Sequence, residues 1–109
     1  SLDYGWTPEG ILWMAARIPA QYSWKQLWVP SAIKRYLAER TFSAKDEIGE
    51  DFGEVKISAD GISSGFVKFF QQRGADEDDL LMVEFDLINN TAVLRLSDED
   101  LLEEVSPEA

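Results

Sequence analysis

The feature that most constrains the fold is a pair of alternating segments in the last third of the chain. Every second residue is apolar from 81 to 87, and the same period recurs from 92 to 96. Period-two alternation is typical of strands with one buried face, and the Asn89-Asn90 pair between them suits a type I′ turn in a two-residue loop. With that loop, Glu84 lies opposite Arg95 on the outward face. The sequence therefore predicts a β-hairpin with one face in a hydrophobic core.

Two further elements precede this hairpin. Residues 54–58 alternate like a half-buried strand. A helix is predicted to begin at a serine cap, Ser63 or Ser64, and to end at Gly74, because glycine suits the left-handed position that follows a helix. Three phenylalanines share one face of this helix and are expected in the core: Phe66, Phe69 and Phe70.

The first 29 residues have less regular patterns. Thr7 followed by Pro8 indicates a helix start. The apolar run 11–16 has no periodicity, so it fits a buried helix or a buried strand, and the helix is preferred. Residues 21–29 are left open between helix and extended chain, since both fit before a proline.

Three more segments complete the secondary structure. A helix is predicted from Ser31 to Arg40, with its apolar residues on one face. Residues 44–51 are polar and acidic and are predicted to form a loop. After the hairpin, Ser97 with an acid three residues later is typical of the start of a short helix.

Together these elements indicate an α+β fold, a small and mainly antiparallel barrel-like sheet with short covering helices. A chain of 109 residues that is 45% hydrophobic can build one core of its own. We therefore expect residues 1–109 to form a single domain that is part of a larger protein.

The chain contains neither histidine nor cysteine. It therefore lacks the usual general base near neutral pH, a thiol nucleophile and the commonest transition-metal ligands. The segment 61–65 matches the G-x-S-x-G nucleophile pattern, but no histidine can take the serine proton, so we interpret it as a turn with a serine cap. The acidic clusters lack the spacing of a calcium loop. We expect no catalysis, no cofactor, no metal and no small-molecule substrate.

The sequence also bears on location. No apolar run is long enough to cross a bilayer, and the first residues lack the basic and apolar regions of a signal peptide. These observations predict a cytoplasmic protein without a membrane partner.

Charge and aromatic residues are unevenly distributed along the chain. Residues 1–45 carry six basic and three acidic side chains, a net charge of plus 3, whereas residues 46–109 carry four basic and eighteen acidic ones, a net charge of minus 14. All four tryptophans lie in the first segment. Tryptophan interleaved with positive charge is typical of surfaces that bind nucleic acid. Six residues are candidates for such a surface: Trp24, Lys25, Trp28, Lys34, Arg35 and Arg40.

Residues 28–96 resemble the B3-type DNA-binding pseudobarrel, which occurs in plant transcription factors and in effector domains of some restriction enzymes. That family carries a Gly-Trp pair, a Phe three residues on, and a Gly-Asp pair before an apolar strand. Gly65, Phe66, Phe69 and Asp79 look like those positions here. Two departures are that Phe66 replaces Trp and that Asp78 stands where the family has Gly.

The resemblance implies a pseudobarrel that holds DNA with two loop arms from its open face. The family's arms are rich in Lys and Arg, and here only Lys25, Lys34 and Arg35 fall near a comparable place. The acidic balance of the chain also departs from a typical DNA binder.

We therefore predict a non-catalytic module that contacts another macromolecule through its Trp-rich, basic first third, and a B3-like DNA-binding domain is one form that such a module could take. The alternative is a protein-interaction or dimerisation domain without a nucleic-acid role. An acidic nucleic-acid mimic fits less well, because the carboxylates bunch in loops instead of lying spaced on one face. The partner is left undecided between protein and nucleic acid.

Overall fold

The computed structural model describes residues 2–20 and 24–97. In this part of the chain eight strands belong to one sheet: β1 (Leu2–Trp6), β2 (Leu12–Arg17), β3 (Leu27–Trp28), β4 (Arg40–Asp46), β5 (Asp51–Ile57), β6 (Ile62–Ser64), β7 (Leu80–Asp86) and β8 (Thr91–Ser97). The helical elements of the same residues are a 3₁₀ turn, Ser31–Ile33, and two short helices, α1 (Lys34–Leu37) and α2 (Val67–Arg73). None of these helices is long and apolar enough to cross a membrane.

The sheet curls into a half-barrel. Its strand order is β1-β2-β7-β8-β4-β5-β6-β3, so β1 and β3 are the two edges. Paired neighbours run antiparallel except β4 and β8, which run parallel. The barrel-like, mainly antiparallel sheet with short helices is confirmed, although strands provide more of the fold than the sequence indicated.

The main core lies on the concave face of the half-barrel. The 3₁₀ turn and α1 contribute Ile33 and Leu37 to it, and α2 contributes Phe69 and Phe70. All four side chains are buried. The described helices therefore cover the inner face of the sheet.

The predicted hairpin exists as β7 and β8, but its register is shifted by two residues. Glu84 lies opposite Val93 instead of Arg95, and the loop spans residues 87–90. Because a shift of two keeps each side chain on its predicted face, Arg95 still reaches Glu84 diagonally, with 3.0 Å between the guanidinium and the carboxylate.

Asp86 is the reason for the longer hairpin loop. Its carboxylate accepts hydrogen bonds at 3.0 Å from the backbone N–H groups of Ile88 and Asn89. A type I′ turn needs positive φ at both central residues, whereas Asn90, at 56°, is the only residue of this loop with positive φ. The predicted two-residue turn was therefore wrong.

Residues 12–16 of the apolar run 11–16 belong to strand β2, so the preferred helix was wrong. Leu12 and Met14 point into the main core, whereas Trp13 and Ala15 belong to a separate buried cluster on the opposite face. A strand buried on both faces loses its alternation, and this explains why the sequence period could not identify it.

The helix start predicted at Thr7 was also wrong, because Thr7 lies in the turn between β1 and β2. Its hydroxyl accepts a hydrogen bond from the Ile11 N–H at 3.1 Å, and its own N–H donates to the Ile11 carbonyl at 2.9 Å. A threonine side chain can cap a helix, but at this position it closes a hairpin turn instead.

The helix predicted from Ser31 ends at Leu37, and Arg40 already belongs to β4. Glu39 turns the chain between them with a φ of 62°. The loop predicted over residues 44–51 is reduced to 47–50, because β4 continues through Asp46 and β5 begins at Asp51. Burial alternates along β4, but the inward-facing residue Asp46 is polar. This polar residue kept the strand from being identified in the sequence.

The serine cap predicted for α2 was wrong, whereas its end was confirmed. Ser63 and Ser64 belong to β6, and the buried Ser63 hydroxyl donates to the Leu27 carbonyl at 2.6 Å, across to the edge strand. Gly74 ends the helix in the left-handed conformation, with a φ of 65°.

The strand predicted over 54–58 is confirmed for residues 54–57, where β5 ends. The helix predicted after Ser97 and residues 21–23 of the open segment 21–29 lie outside the described residues. The remainder of that segment is a turn followed by β3.

Asp46 fastens the β4–β5 loop to α2. Its buried carboxylate accepts hydrogen bonds from the N–H groups of Ile48 and Glu50, at 3.0 and 2.7 Å, and pairs with Arg73 of α2. Burial raises the pKa of this carboxyl, but the N–H groups of Glu50 and Ile48 and the Arg73 guanidinium outweigh burial, so the pKa lies below its ordinary value of 3.8.

This lowered pKa makes a prediction about pH. As the pH falls, the unfolded chain takes up the Asp46 proton first, so the stabilisation is present above the ordinary pKa of 3.8 and is lost as the pH falls through the lower folded-state pKa. Asp46→Asn should lower the urea midpoint at pH 7, and its difference from the wild type should shrink between pH 6 and pH 3. Glu47→Gln, which removes an exposed charge from the same loop, should change little. A difference that stays constant over this range would contradict the role of the ionised carboxylate.

Candidate nucleic-acid interface

Two of the six sequence candidates are held inside the fold. Trp24 is buried in the main core, where its indole N–H donates to the Pro19 carbonyl at 3.1 Å and its ring meets Phe70 edge to face at 5.0 Å between centroids. The side chain of Trp24 is therefore a packing residue in this structure, and it shapes the surface only by holding the segment before β3.

Arg40 joins three elements at one end of the half-barrel. Its guanidinium donates to the Tyr36 carbonyl at 3.2 Å, to the Leu87 carbonyl and to the Asn90 side-chain oxygen. It also lies 5.0 Å from the centre of the Phe42 ring. With its donors turned to these internal acceptors, Arg40 positions α1 and the β7–β8 loop against β4 and has little left to offer a ligand.

Trp28 is the most exposed of the four tryptophans. It lies on edge strand β3 with 61% of its surface accessible and pairs with Ile62 of β6. An indole left in water on an edge strand buries little apolar area in the fold, so it is available to stack on a partner.

Lys34 lies beside the turn that leads into β6. A Cβ placed on Gly61 would stand 2.8 Å from Lys34 Cδ and 3.3 Å from Val29 Cγ2, so the lysine stem packs directly on the glycine. Gly61 also has a φ of 90°. The contact brings the exposed Lys34 next to the residue that precedes Ile62, the strand partner of Trp28.

Arg35 points toward the other edge of the half-barrel. Its guanidinium donates to the Tyr36 hydroxyl at 2.9 Å and lies 4.9 Å from that ring's centre. The Tyr36 ring in turn meets Trp6 of β1 edge to face at 5.1 Å, and Trp6 is 43% exposed. Arg35 thus belongs to a group with Tyr36 of α1 and Trp6 of the edge strand β1.

These contacts place α1 between the two edges of the sheet. Lys34 lies on the side of β6, and Arg35 lies on the side of β1. We call the resulting surface the α1 band and define it by five exposed or half-exposed residues: Trp6, Trp28, Lys34, Arg35 and Tyr36. Lys25 is exposed on the turn before β3 and adds a charge at its margin.

A groove of about 540 Å³ adjoins the band on the outer face of β4, β5 and β6. Thr41, Lys56 and Ser64 lie side by side across these strands, and all three line it. Glu39 and Asp60 also line the groove, and Glu54 lies 4.0 Å from Lys56 on the surface. Opposite charges are therefore interspersed with the lysines, and the local positive field is modest.

Sequence reasoning missed Trp6, Tyr36 and Lys56. Lys56 could have been found, because it is an outward residue of the predicted strand 54–58. Trp6 could not, because its half-exposure depends on β1 being the edge of the sheet.

The arrangement offers aromatic stacking surfaces and cations. Within residues 2–20 and 24–97, no group of three or more acidic side chains is placed to hold a metal ion. When compared with protein-family models, with curated proteins and with solved structures, the chain gives no match.

Proposed function

We propose that this domain is a non-catalytic binding module that contacts DNA through the α1 band, as a B3-like domain would. The observation that carries the proposal is the pair of exposed indoles, Trp6 and Trp28, on opposite edge strands with Lys34 and Arg35 between them. Bases stack on such rings and phosphates pair with such cations.

The local charge supports this choice. Lys34 and Arg35 are consecutive in α1, and Lys56 adds a third positive charge beside the groove. Neutralising about three phosphates gives a salt dependence with a slope of roughly −2 to −3 in log K against log salt. The net charge of minus 14 over residues 46–109 opposes close approach of DNA elsewhere, so binding should be confined to the band.

The resemblance to the B3-type pseudobarrel supports the proposal from a second direction. Asp78, which stands where the family has Gly, has a φ of 75°, in the left-handed region that glycine favours. Phe66 and Phe69 are buried in the main core, so these two positions would stabilise the fold and would not contact DNA. The α1 band lies between the free edges of the half-barrel, the side from which that family holds DNA.

The first experiment is a titration with short single- and double-stranded DNA at low and physiological salt, followed by tryptophan fluorescence. Stacking on an indole contributes about 1–3 kcal/mol per base, so Trp28→Ala should weaken binding by roughly tenfold or more. Lys34→Ala and Arg35→Ala should each weaken it less and reduce the salt slope by about one.

Lys68→Ala is the matched control, because Lys68 is an exposed lysine on α2, outside the band. It should leave the affinity unchanged. The absence of quenching at micromolar protein, even at low salt, would refute DNA binding. An affinity that falls equally in Lys68→Ala and Lys34→Ala would show nonspecific attraction and not a defined site.

One observation favours a second function, protein interaction through β1. In the described residues β1 pairs only with β2, and Tyr4 and Trp6 on this edge are both more than 40% exposed. An unpaired edge with exposed aromatics can accept a strand from another protein. Sedimentation that depends on protein concentration and is abolished by Tyr4→Lys, with no response to DNA, would favour this function.

A further inference from the structure

The two edges of the sheet are protected to different degrees. Edge strand β3 has only two residues, Leu27–Trp28, and Pro30 follows close behind it. Short edge strands and prolines keep an edge from pairing with another chain. Edge strand β1 has five residues and contains neither proline nor lysine, and in the part of the chain that the structure describes its free side carries no strand. The fold therefore leaves one edge open to a further strand.

Two hydrogen bonds show which backbone groups of β1 point to the free side. The Thr7 N–H donates to the Ile11 carbonyl at 2.9 Å, so Thr7 directs its backbone groups toward β2. Because this direction alternates along a strand, residues 3 and 5 also face β2, and residues 2, 4 and 6 face away from it. The Ile18 N–H donates to the Asp79 carbonyl at 2.8 Å and gives the same phase, since it turns the even residues of β2 toward β7 and the odd ones toward β1.

The side chains of β1 differ between its two faces. Tyr4 and Trp6 lie opposite Met14 and Leu12 of the main core, so both rings are on the concave side. They are nevertheless 46% and 43% exposed. Asp3 is exposed on the other face and is the only charged residue of the strand. A strand added at this edge would therefore meet aromatic rings on one face and a carboxylate on the other.

A second copy of β1 fits this edge in one antiparallel register. The backbone groups meet only if even residues pair with even residues, and pairing Tyr4 with Tyr4 of the second copy uses all three even positions. This register forms up to about six backbone hydrogen bonds. It also places Asp3 opposite Gly5 of the second copy, so like charges do not oppose each other.

The neighbouring registers are less favourable. A shift that places residue 2 opposite Tyr4 brings the two Asp3 carboxylates opposite each other, which is destabilising. A shift in the other direction places Tyr4 opposite Trp6 and leaves the backbone groups of residue 2 without a partner. The register centred on Tyr4 is therefore the self-complementary one.

We propose that β1 pairs antiparallel with β1 of a second copy of this chain, centred on Tyr4, so that two half-barrels share one continuous sheet. The contact is two-fold symmetric and closed, so it stops at the dimer. Interfaces that bury less than about 1,200 Å² are usually transient, so this five-residue strand pair should form reversibly. The inference supplies the partner for the β1 interface named above as the second function, and it does not depend on DNA binding.

Sedimentation velocity of the full chain from about 10 µM to about 1 mM tests the dimer. The measurement is made at physiological salt, which screens the repulsion between two chains of net charge minus 11. The average mass of the wild type should rise toward that of a dimer and no further. Tyr4→Lys and Tyr4→Glu each place like charges across the two-fold axis, so each should remain monomeric where half of the wild type is dimeric.

Mixing the two charged variants tests the register. An equal mixture of Tyr4→Lys and Tyr4→Glu pairs opposite charges across the axis and should recover the dimer, which also shows that both variants are folded. Trp28→Ala, on the protected edge, is the control and should dimerise like the wild type while it weakens DNA binding, so the two proposals fail separately. A wild type that stays monomeric throughout, single variants that dimerise normally, or a mixture that stays monomeric would overturn the proposal.

Amide hydrogen exchange shows whether the contact is a strand pair. At the concentration where half of the chains are dimeric, the Tyr4 N–H should exchange about two times slower than in the dilute monomer, because only the monomer leaves it open to solvent. The Gly5 N–H faces β2 and is the internal control, with an exchange rate that does not change with concentration. Dimers in which the Tyr4 N–H is not protected would contradict pairing through β1.

Discussion

Phe70→Ala is expected to lower the free energy of unfolding by about 4 kcal/mol, a large part of the stability of a domain of this size. Phe70 is fully buried, and its ring centre lies 5.0 Å from that of Trp24 and 6.0 Å from that of Phe66. Removing the ring leaves a cavity between α2 and the segment before β3, and neither side can close it because both are held by further contacts. Urea unfolding followed by circular dichroism measures the change.

Phe70→Leu is the matched control, because it keeps most of the volume and should cost about 1 kcal/mol. The alanine variant should also change the emission of Trp24, which contacts Phe70, whereas Trp28 on the surface should be unaffected. Equal stabilities of the two variants would show that α2 is not seated in the main core. The comparison also tests the assignment of Trp24 to packing and not to binding.

The sequence predicted those elements in which one face is buried and the other is wet. The α2 helix, β5 and β8 have this property, and β7 departs from it at Leu80 and Met82, which are also buried, so the apolar periods largely matched the real periods. The C-terminal glycine of α2 was predicted for a physical reason as well, since Gly74 has the left-handed conformation expected there.

The elements that were not predicted have another property in common, which is that their apolar pattern depends on tertiary contacts. β2 has no period because Trp13 and Ala15 are buried on its second face, and this burial is invisible from the local sequence. β4 was missed because Asp46 occupies an inward position, which is acceptable only with Arg73 of α2 and the loop N–H groups around it. Each case requires knowledge of a residue more than 20 positions away or of a whole face.

The exposure of the candidate site residues was predicted only in part, because it also depends on tertiary context. The sequence indicated aromatic and basic residues for this surface, and four of the six candidates are exposed: Lys25, Trp28, Lys34 and Arg35. Trp24 and Arg40 have the same chemistry but are used internally. Whether a tryptophan or an arginine faces water depends on which strands are edges and which carbonyls lie nearby, and neither can be read from spacing.

Gly65→Ala is expected to destabilise the domain by roughly 3–5 kcal/mol, through strain at a positive φ together with a steric clash. Gly65 has a φ of 109°, and a Cβ at this position would stand 2.1 Å from the Glu54 carbonyl oxygen. That carbonyl belongs to β5, which is paired with both β4 and β6 and cannot move without breaking ladder hydrogen bonds. The second glycine of the G-x-S-x-G pattern is thus required for close approach of backbone to backbone.

Gly53→Ala separates the two contributions. Gly53 also has a positive φ, 87°, but a Cβ there would meet nothing within 4 Å, so only the backbone strain of about 1–2 kcal/mol should appear. The difference between the two variants in urea unfolding therefore measures the clash with Glu54. If Gly65→Ala cost no more than Gly53→Ala, β5 would have to yield at this point, and the junction between β6 and α2 would not be rigidly held. A large difference would show that this junction fixes α2, and with it the main core, against the sheet.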